Sequence, residues 1–209
     1  MTTSVGGREI RLLLADDQAL VRGALAALLD LEPDLTVVAE VGTGDAVVGA
    51  VEEHRPDVAL LDVEMPGLDG IEATRALKAV HPEVRVLIVT TFGRPGFLRR
   101  ALQAGADGFL VKDTPARQLA DAVRRVHSGL RVVDPALAAD SLVAGESPLT
   151  ARESEVLRAA RDGSAVAAIA GRLFLSEGTV RNHLSSAIGK TGTANRAEAV
   201  RVAEQNGWL

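Results

Sequence analysis

Cysteine is absent from the 209 residues, and aromatic side chains are scarce: four Phe, one Trp and no Tyr. Without cysteine there can be no disulfide framework, no cysteine-ligated zinc and no iron–sulfur cluster. That absence fits a reducing compartment, so the cytoplasm is the expected location. With so few aromatics the core has to be aliphatic and alanine-rich, a composition suited to helices packed on parallel strands. No apolar run approaches the roughly 20 residues of a membrane span, and the first nine residues lack the apolar stretch of a signal peptide. A soluble protein that does not engage the membrane is expected.

A strong positive charge is also missing. The net charge of -5 argues against a generic nucleic-acid coat. The charge is uneven, however: residues 147–209 hold eight Lys/Arg and six Asp/Glu, net +2, which leaves 15 basic against 22 acidic residues, net -7, elsewhere. An acidic part and a mildly basic part, in a chain long enough for two modest cores, point to two domains.

From residue 10 to 128 short apolar runs alternate with helical patterns. Residues 10–15, 36–39, 58–61, 84–90 and 108–111 read as strands, and 19–31, 45–54, 70–80, 95–104 and 115–128 as helices. Such alternation predicts an α/β fold, a doubly wound five-stranded parallel sheet with helices on both faces. Asp134-Pro135 and the 145–148 segment Gly-Glu-Ser-Pro punctuate a linker over 129–146 that contains a short helix. Beyond it, 150–161, 165–173, 176–188 and 195–205 read as four helices, a second, smaller all-α domain over 147–209.

In an open parallel sheet the ligand site lies beyond the carboxyl ends of the strands. Asp16 and Asp17 follow the first strand, Asp62 ends the third, Thr90 and Thr91 the fourth, and Lys112 the fifth. A single Asp at a strand end is ordinarily a cap or turn residue; acids, a hydroxyl and an amine gathered on one edge are a site. A carboxylate accepts a phosphoryl group only where a hard cation and a fixed positive charge offset the repulsion among anionic oxygens. Asp16, Asp17, Asp62 and the backbone carbonyl of Glu64 would hold Mg²⁺, Lys112 would pair with the phosphoryl oxygens, and Thr90 would donate its hydroxyl. Asp62 is the expected nucleophile.

The segments LLLADDQALVRGAL, LLDVEMPGLDG, VLIVTTF and AGADGFLVKD resemble the flavodoxin-like receiver domains of bacterial two-component response regulators, over residues 8–128. The resemblance implies that Asp62 is the phosphoacceptor, Asp16 and Asp17 the metal-binding acids, Thr90 the switch hydroxyl, Phe109 the coupled aromatic and Lys112 the phosphate-sensing lysine. Phosphorylation would then favour a dimer through the surface of helices 4 and 5 or the neighbouring face of helix 1. The family usually has acids after its TTF-like segment, where this chain reads Gly93-Arg94-Pro95-Gly96-Phe97, so helix 4 is expected to start weakly.

In the second domain Thr150 and Glu153 have capping-box spacing, and Ser176 precedes a helix with Val180, Leu184 and Ile188 as its apolar stripe. Its other face carries Thr179, Arg181, Asn182, Ser185 and Ser186, donors suited to phosphates and base edges. Any amphipathic helix has a polar face, so this signal is weak alone. The strings LTARESEVL and LFLSEGTVRNHLSSAIGKTGTANRAEAVRVAEQNGWL resemble the LuxR-type helix-turn-helix domain of NarL/FixJ regulators. That implies Arg181, Asn182 and Ser185 towards bases in double-stranded DNA, and Thr179, Lys190 and Arg196 towards phosphates. Gly-Arg-Pro-Gly-Phe and the final Gly-Trp-Leu resemble the DesR-like branch. Val166-Ala167-Ala168 replaces the family's polar triplet, and Gly189 and Thr191 replace residues commonly basic and leucine. The recognition helix is therefore expected to fray and DNA affinity to be modest.

The resemblance implies a sensor histidine kinase as phosphoryl donor, a homodimer on paired promoter half-sites, and no enzymatic turnover. Two rivals follow from the residues. A Mg²⁺-dependent phosphohydrolase using Asp62 needs a second acid two residues on and a substrate cap; Glu64 occupies that position, and no cap insertion is present. A constitutive dimerisation module would leave the acid, Thr and Lys set without purpose.

Overall fold

The computed structural model describes residues 9–91, 93, 95–143 and 147–209. Arg8, Arg94 and Gly145-Glu146, which figured in the expected domain start, helix 4 lead and linker, lie outside them.

Elements follow in the order β1 (Ile10–Ala15), α1 (Ala19–Leu29), β2 (Leu35–Val41), a 3₁₀ turn (Gly44–Ala46), α2 (Val47–His54), β3 (Val58–Leu61), α3 (Gly70–Val80), β4 (Arg85–Thr90), α4 (Pro95–Ala104), β5 (Gly108–Val111), α5 (Ala116–His127), β6 (Val132–Val133), α6 (Pro135–Val143), α7 (Ala151–Ala159), α8 (Val166–Leu173), α9 (Glu177–Thr191) and α10 (Arg196–Gln205). The chain divides into two compact units, of which the described residues 9–91, 93 and 98–138 form the first and 95–97, 139–143 and 147–209 the second.

In the first unit all strand pairs are parallel, in the order β2-β1-β3-β4-β5-β6. Helices cover both faces, which is why the central strands read as unbroken apolar runs: every residue of Val58–Leu61 is buried. On one face Leu12, Leu14, Leu60, Leu87 and Val89 pack with Leu29 of α1 and Leu119, Val123 and Val126 of α5. Leu13, Leu61, Val86, Ile88 and Phe109, alternate in register, are buried as well.

The described residues form six strands where five were expected. Val132 and Val133 lie in the stretch read as linker and add parallel to β5, with Val132 N–H donating to the Asp107 carbonyl and Asp134 N–H to that of Phe109. Two residues are too few to show a period, so only pairing with a formed sheet edge defines them as a strand. Arg124 of α5 grips Asp34 at 2.7 and 2.8 Å and Glu32 at 2.6 Å, tying that helix to the loop before β2.

The second unit's core gathers Val156, Leu157, Ile169, Val180, Leu184, Ala187, Ala199, Val200 and Ala203. Ala187, rather than Ile188, completes the fully buried stripe of α9; Ile188 is half-buried against it. Side-chain caps start α7, α9 and α10: Thr150 with Glu153 in a reciprocal capping box, Ser176 on Thr179 N–H, and Asn195 on Glu198 N–H. α9 continues helical through Gly189. It runs to Thr191 and stops at Gly192, whose left-handed φ of 64° ends it as glycine does at little cost.

Candidate functional site

Parallel pairing builds the first site. Asp62 N–H donates to the Ala15 carbonyl at 2.8 Å, and Lys112 N–H to the Thr90 carbonyl at 2.8 Å, so the ends of β1, β3, β4 and β5 sit side by side. Asp16, Asp62 and Thr90 are buried there; Asp17 is exposed. Lys112 Nζ donates to Asp16 Oδ2 at 2.7 Å and to Asp62 Oδ2 at 2.8 Å. The other Asp16 oxygen accepts from the Gln18 amide at 2.9 Å. Asp62 Oδ1 is buried without a hydrogen-bond partner.

Burial pushes the Asp62 carboxyl above its ordinary range, against the pull of Lys112 and with the added repulsion of Asp16. Burial by itself would lower Lys112, but its bonds to Asp16 and Asp62 outweigh that and raise it. One carboxylate oxygen of each of Asp16, Asp17 and Asp62 lies within 4.8 Å of the others, a donor set suited to a hard divalent cation, and the orphaned Asp62 oxygen is an atom such a cation would satisfy. Glu64 is exposed two residues beyond Asp62, and Phe109 is fully buried in β5.

Arg22 escaped the sequence reading. Its guanidinium donates to the Asp16 carbonyl and approaches Glu40 of β2 at 3.4 Å, bracing the acid pair from α1. The available signal was its isolation: it is the only charged residue in ALVRGALAALL.

The loop after Asp62 is held by close backbone approach. A Cβ on Gly44 would fall 2.0 Å from the Leu68 carbonyl oxygen, and one on Gly70 1.8 Å from that of Asp62. Gly70→Ala is therefore expected to destabilise the first unit by about 1–3 kcal/mol in urea unfolding, because backbone rather than a flexible side chain must yield.

In the second unit the exposed face of α9 carries Arg181, Asn182, Ser185 and Ser186. A three-residue turn, 174–176, joins α8 to α9, the spacing of a helix-turn-helix. Arg181 pairs with Glu177 one turn earlier, and the Thr179 hydroxyl meets that of Ser176 at 2.8 Å. Lys190 Nζ lies 2.7 Å from Glu153 Oε2, and Arg196 donates to the carbonyls of Ser164 and Gly163 at 2.7 and 3.2 Å. Those last two cations have partners inside the unit. Among the described residues no helix is long and apolar enough to cross a membrane.

Residues 12–124 match the response regulator receiver domain family, and residues 147–203 match the bacterial regulatory proteins of the luxR family. The chain belongs to the two-component response regulators that join a receiver domain to a LuxR-type DNA-binding domain. Among its relatives, the transcriptional regulatory protein DesR of Bacillus subtilis strain 168 is 42% identical over 96% of this chain and 99% of that protein. The probable transcriptional regulatory protein NarL of Mycobacterium tuberculosis H37Rv is 36% identical over 92% of each. The crystal structure of ChrA, a response regulator of a heme-sensing two-component system, is 37% identical with a TM-score of 0.58, over 96% of this chain and 99% of that one.

Proposed function

We propose that a sensor histidine kinase phosphorylates Asp62, and that the phosphorylated chain dimerises and binds paired promoter half-sites to regulate transcription. The observation that carries this reading is the buried Asp62, held by Lys112 on one oxygen and unsatisfied on the other. A carboxylate oxygen of Asp62 forms the P–O bond as the P–N bond of the kinase's phosphohistidine breaks, and the imidazole keeps the electron pair. Asp16, Asp17, Asp62 and the Glu64 carbonyl would hold Mg²⁺, which supplies charge neutralisation at the phosphoryl oxygens. Lys112, freed from Asp16, follows the new charge, Thr90 donates its hydroxyl, and Phe109 turns into the space Thr90 leaves. Phosphorylation and promoter binding would both take place in the cytoplasm. The boundaries proposed are 8–128 for the receiver, 129–146 for a linker that lends β6 to the receiver's sheet edge, and 147–209 for DNA binding.

Helix α1 is the dimer face we favour over that of α4 and α5. Leu20, Gly23, Ala24, Ala27 and Leu28 form an exposed stripe continued by Leu31, and Leu20 and Leu31 are 87% and 79% exposed. The stripe carries no charge, and its small residues allow two copies to approach closely. A second copy also answers a requirement of the other unit, because a net charge of +2 gives one protomer few phosphate contacts. On DNA, Arg181, Asn182 and Ser185 face bases, while Thr179 and the free donors of Arg196 face phosphates.

Incubation with radiolabelled acetyl phosphate and Mg²⁺ should label Asp62, raise the dimer fraction in sedimentation, and protect paired half-sites in footprints. Label on another side chain would reject the reading. Leu31→Arg should abolish the dimer while labelling proceeds at the parent rate; an unchanged dimer fraction would exclude α1.

A further inference from the structure

One carboxylate of the second unit has more partners than its local role requires. Glu153 lies in the first turn of α7, where a capping box asks it only to accept from the Thr150 amide, at 2.7 Å. An exposed glutamate would serve. Glu153 is instead 5% exposed, and it reaches two side chains of α9: Oε1 accepts from Ser186 Oγ at 2.6 Å and Oε2 from Lys190 Nζ at 2.7 Å. Ser186 and Lys190 stand four residues apart, on one face and one turn of that helix.

Two consequences follow. The bonds staple the stretch around Gly189, the position where the sequence weakens the helix, and so carry α9 on to Thr191. They also cancel the Lys190 charge inside the unit. The remaining cation of α9, Arg181, has only an exposed partner in Glu177, a pair that water screens and that opens readily.

We propose that Glu153 is the positioning and specificity-determining residue of the DNA-reading helix: it clamps the last turns of α9 and withholds Lys190 from the phosphate backbone. Discrimination then rests on Arg181, Asn182 and Ser185 rather than on sequence-blind charge. This rests on the DNA-binding reading above. The strong stabilisation of the ionised form agrees with the geometry, since burial would raise the Glu153 carboxyl yet Lys190, Ser186 and Thr150 together hold it down at about 2.

The test uses the full chain, a duplex that it selects from a random pool, and a scrambled duplex of equal length. Glu153→Gln keeps the shape and, through its amide oxygen, the cap, but removes the negative charge that holds Lys190. The ratio of selected to scrambled affinity should fall about tenfold, and the slope of log K against log salt on the scrambled duplex should steepen by about one, the value of one added phosphate contact. A ratio and slope equal to the parent's would reduce Glu153 to a cap and overturn the proposal. Lys190→Met, which does not depend on Glu153→Gln folding, should leave the slope as it is; a slope shallower by about one would show that Lys190 already holds a phosphate, and would also overturn it. If the parent selects no duplex at all, the DNA-binding reading fails, and the specificity role with it.

Discussion

Asp62→Asn is expected to abolish acetyl-phosphate labelling and, with it, the rise in dimer content and in DNA affinity that phosphorylation brings to the parent. The effect should be close to complete. The cluster contains two other carboxylates, but both Asp16 oxygens are engaged, by Lys112 and the Gln18 amide, and Asp17 is exposed. Only Asp62 offers a buried, unpartnered oxygen beside a fixed ammonium, so no second nucleophile is equivalent. If phosphorylation couples to DNA binding with the usual 1–3 kcal/mol, the parent gains about 5- to 150-fold in affinity on treatment and the variant gains nothing. Quantitative footprinting with and without acetyl phosphate measures the difference. Equal DNA binding by both proteins, with no gain in the parent on treatment, would mean that the receiver serves as a constitutive dimerisation module.

Glu153→Ala should unfold the DNA-binding unit at markedly lower temperature. Removing the carboxylate leaves the Thr150 amide and the Ser186 hydroxyl without their acceptor and dissolves the bond between α7 and α9. Lys190 is 36% exposed and recovers water, so the loss is smaller than for a charge stranded in a core: about 1–3 kcal/mol. For a unit of this size each kcal/mol corresponds to about 4–8 °C, and calorimetry of the full chain would resolve it.

The same contact sets a pH window. Glu153 titrates at about 2 when folded, against an ordinary 4.5. A carboxyl depressed by folding stabilises the native state above its unfolded value and loses that contribution as the pH falls through the folded one. The parent's advantage over Glu153→Gln should therefore be full above pH 4.5 and vanish towards pH 2. An advantage independent of pH across that interval would place the stabilisation in packing rather than in the ion pair. Amide exchange across α9 at the two ends of the window would show where the unit opens.

Most of the architecture could be read from the chain alone because its determinants are local and repeated. Apolar runs bounded by Gly, Pro and Asp mark the strands, and 3.6-residue spacing marks the helices; both depend only on near neighbours. Strand-end residues were legible for the same reason, since in a parallel sheet the end of a strand is a place on one edge. Asp16, Asp17, Asp62 and Lys112 could therefore be assembled in advance. What stayed hidden depended on distant partners. β6 needs β5 beside it, the reach of Arg22 to the Asp16 carbonyl needs α1 laid on the sheet, and the persistence of α9 past Gly189 needs an acid 37 residues away. The residue types of Lys190 and Arg196 admitted a phosphate contact, and only the fold could reveal that one lysine is already held by Glu153 and one arginine by two carbonyls. Local patterning fixes which elements form, whereas the pairing of charges is decided by packing, because long side chains bond whatever the tertiary fold brings within about 3 Å.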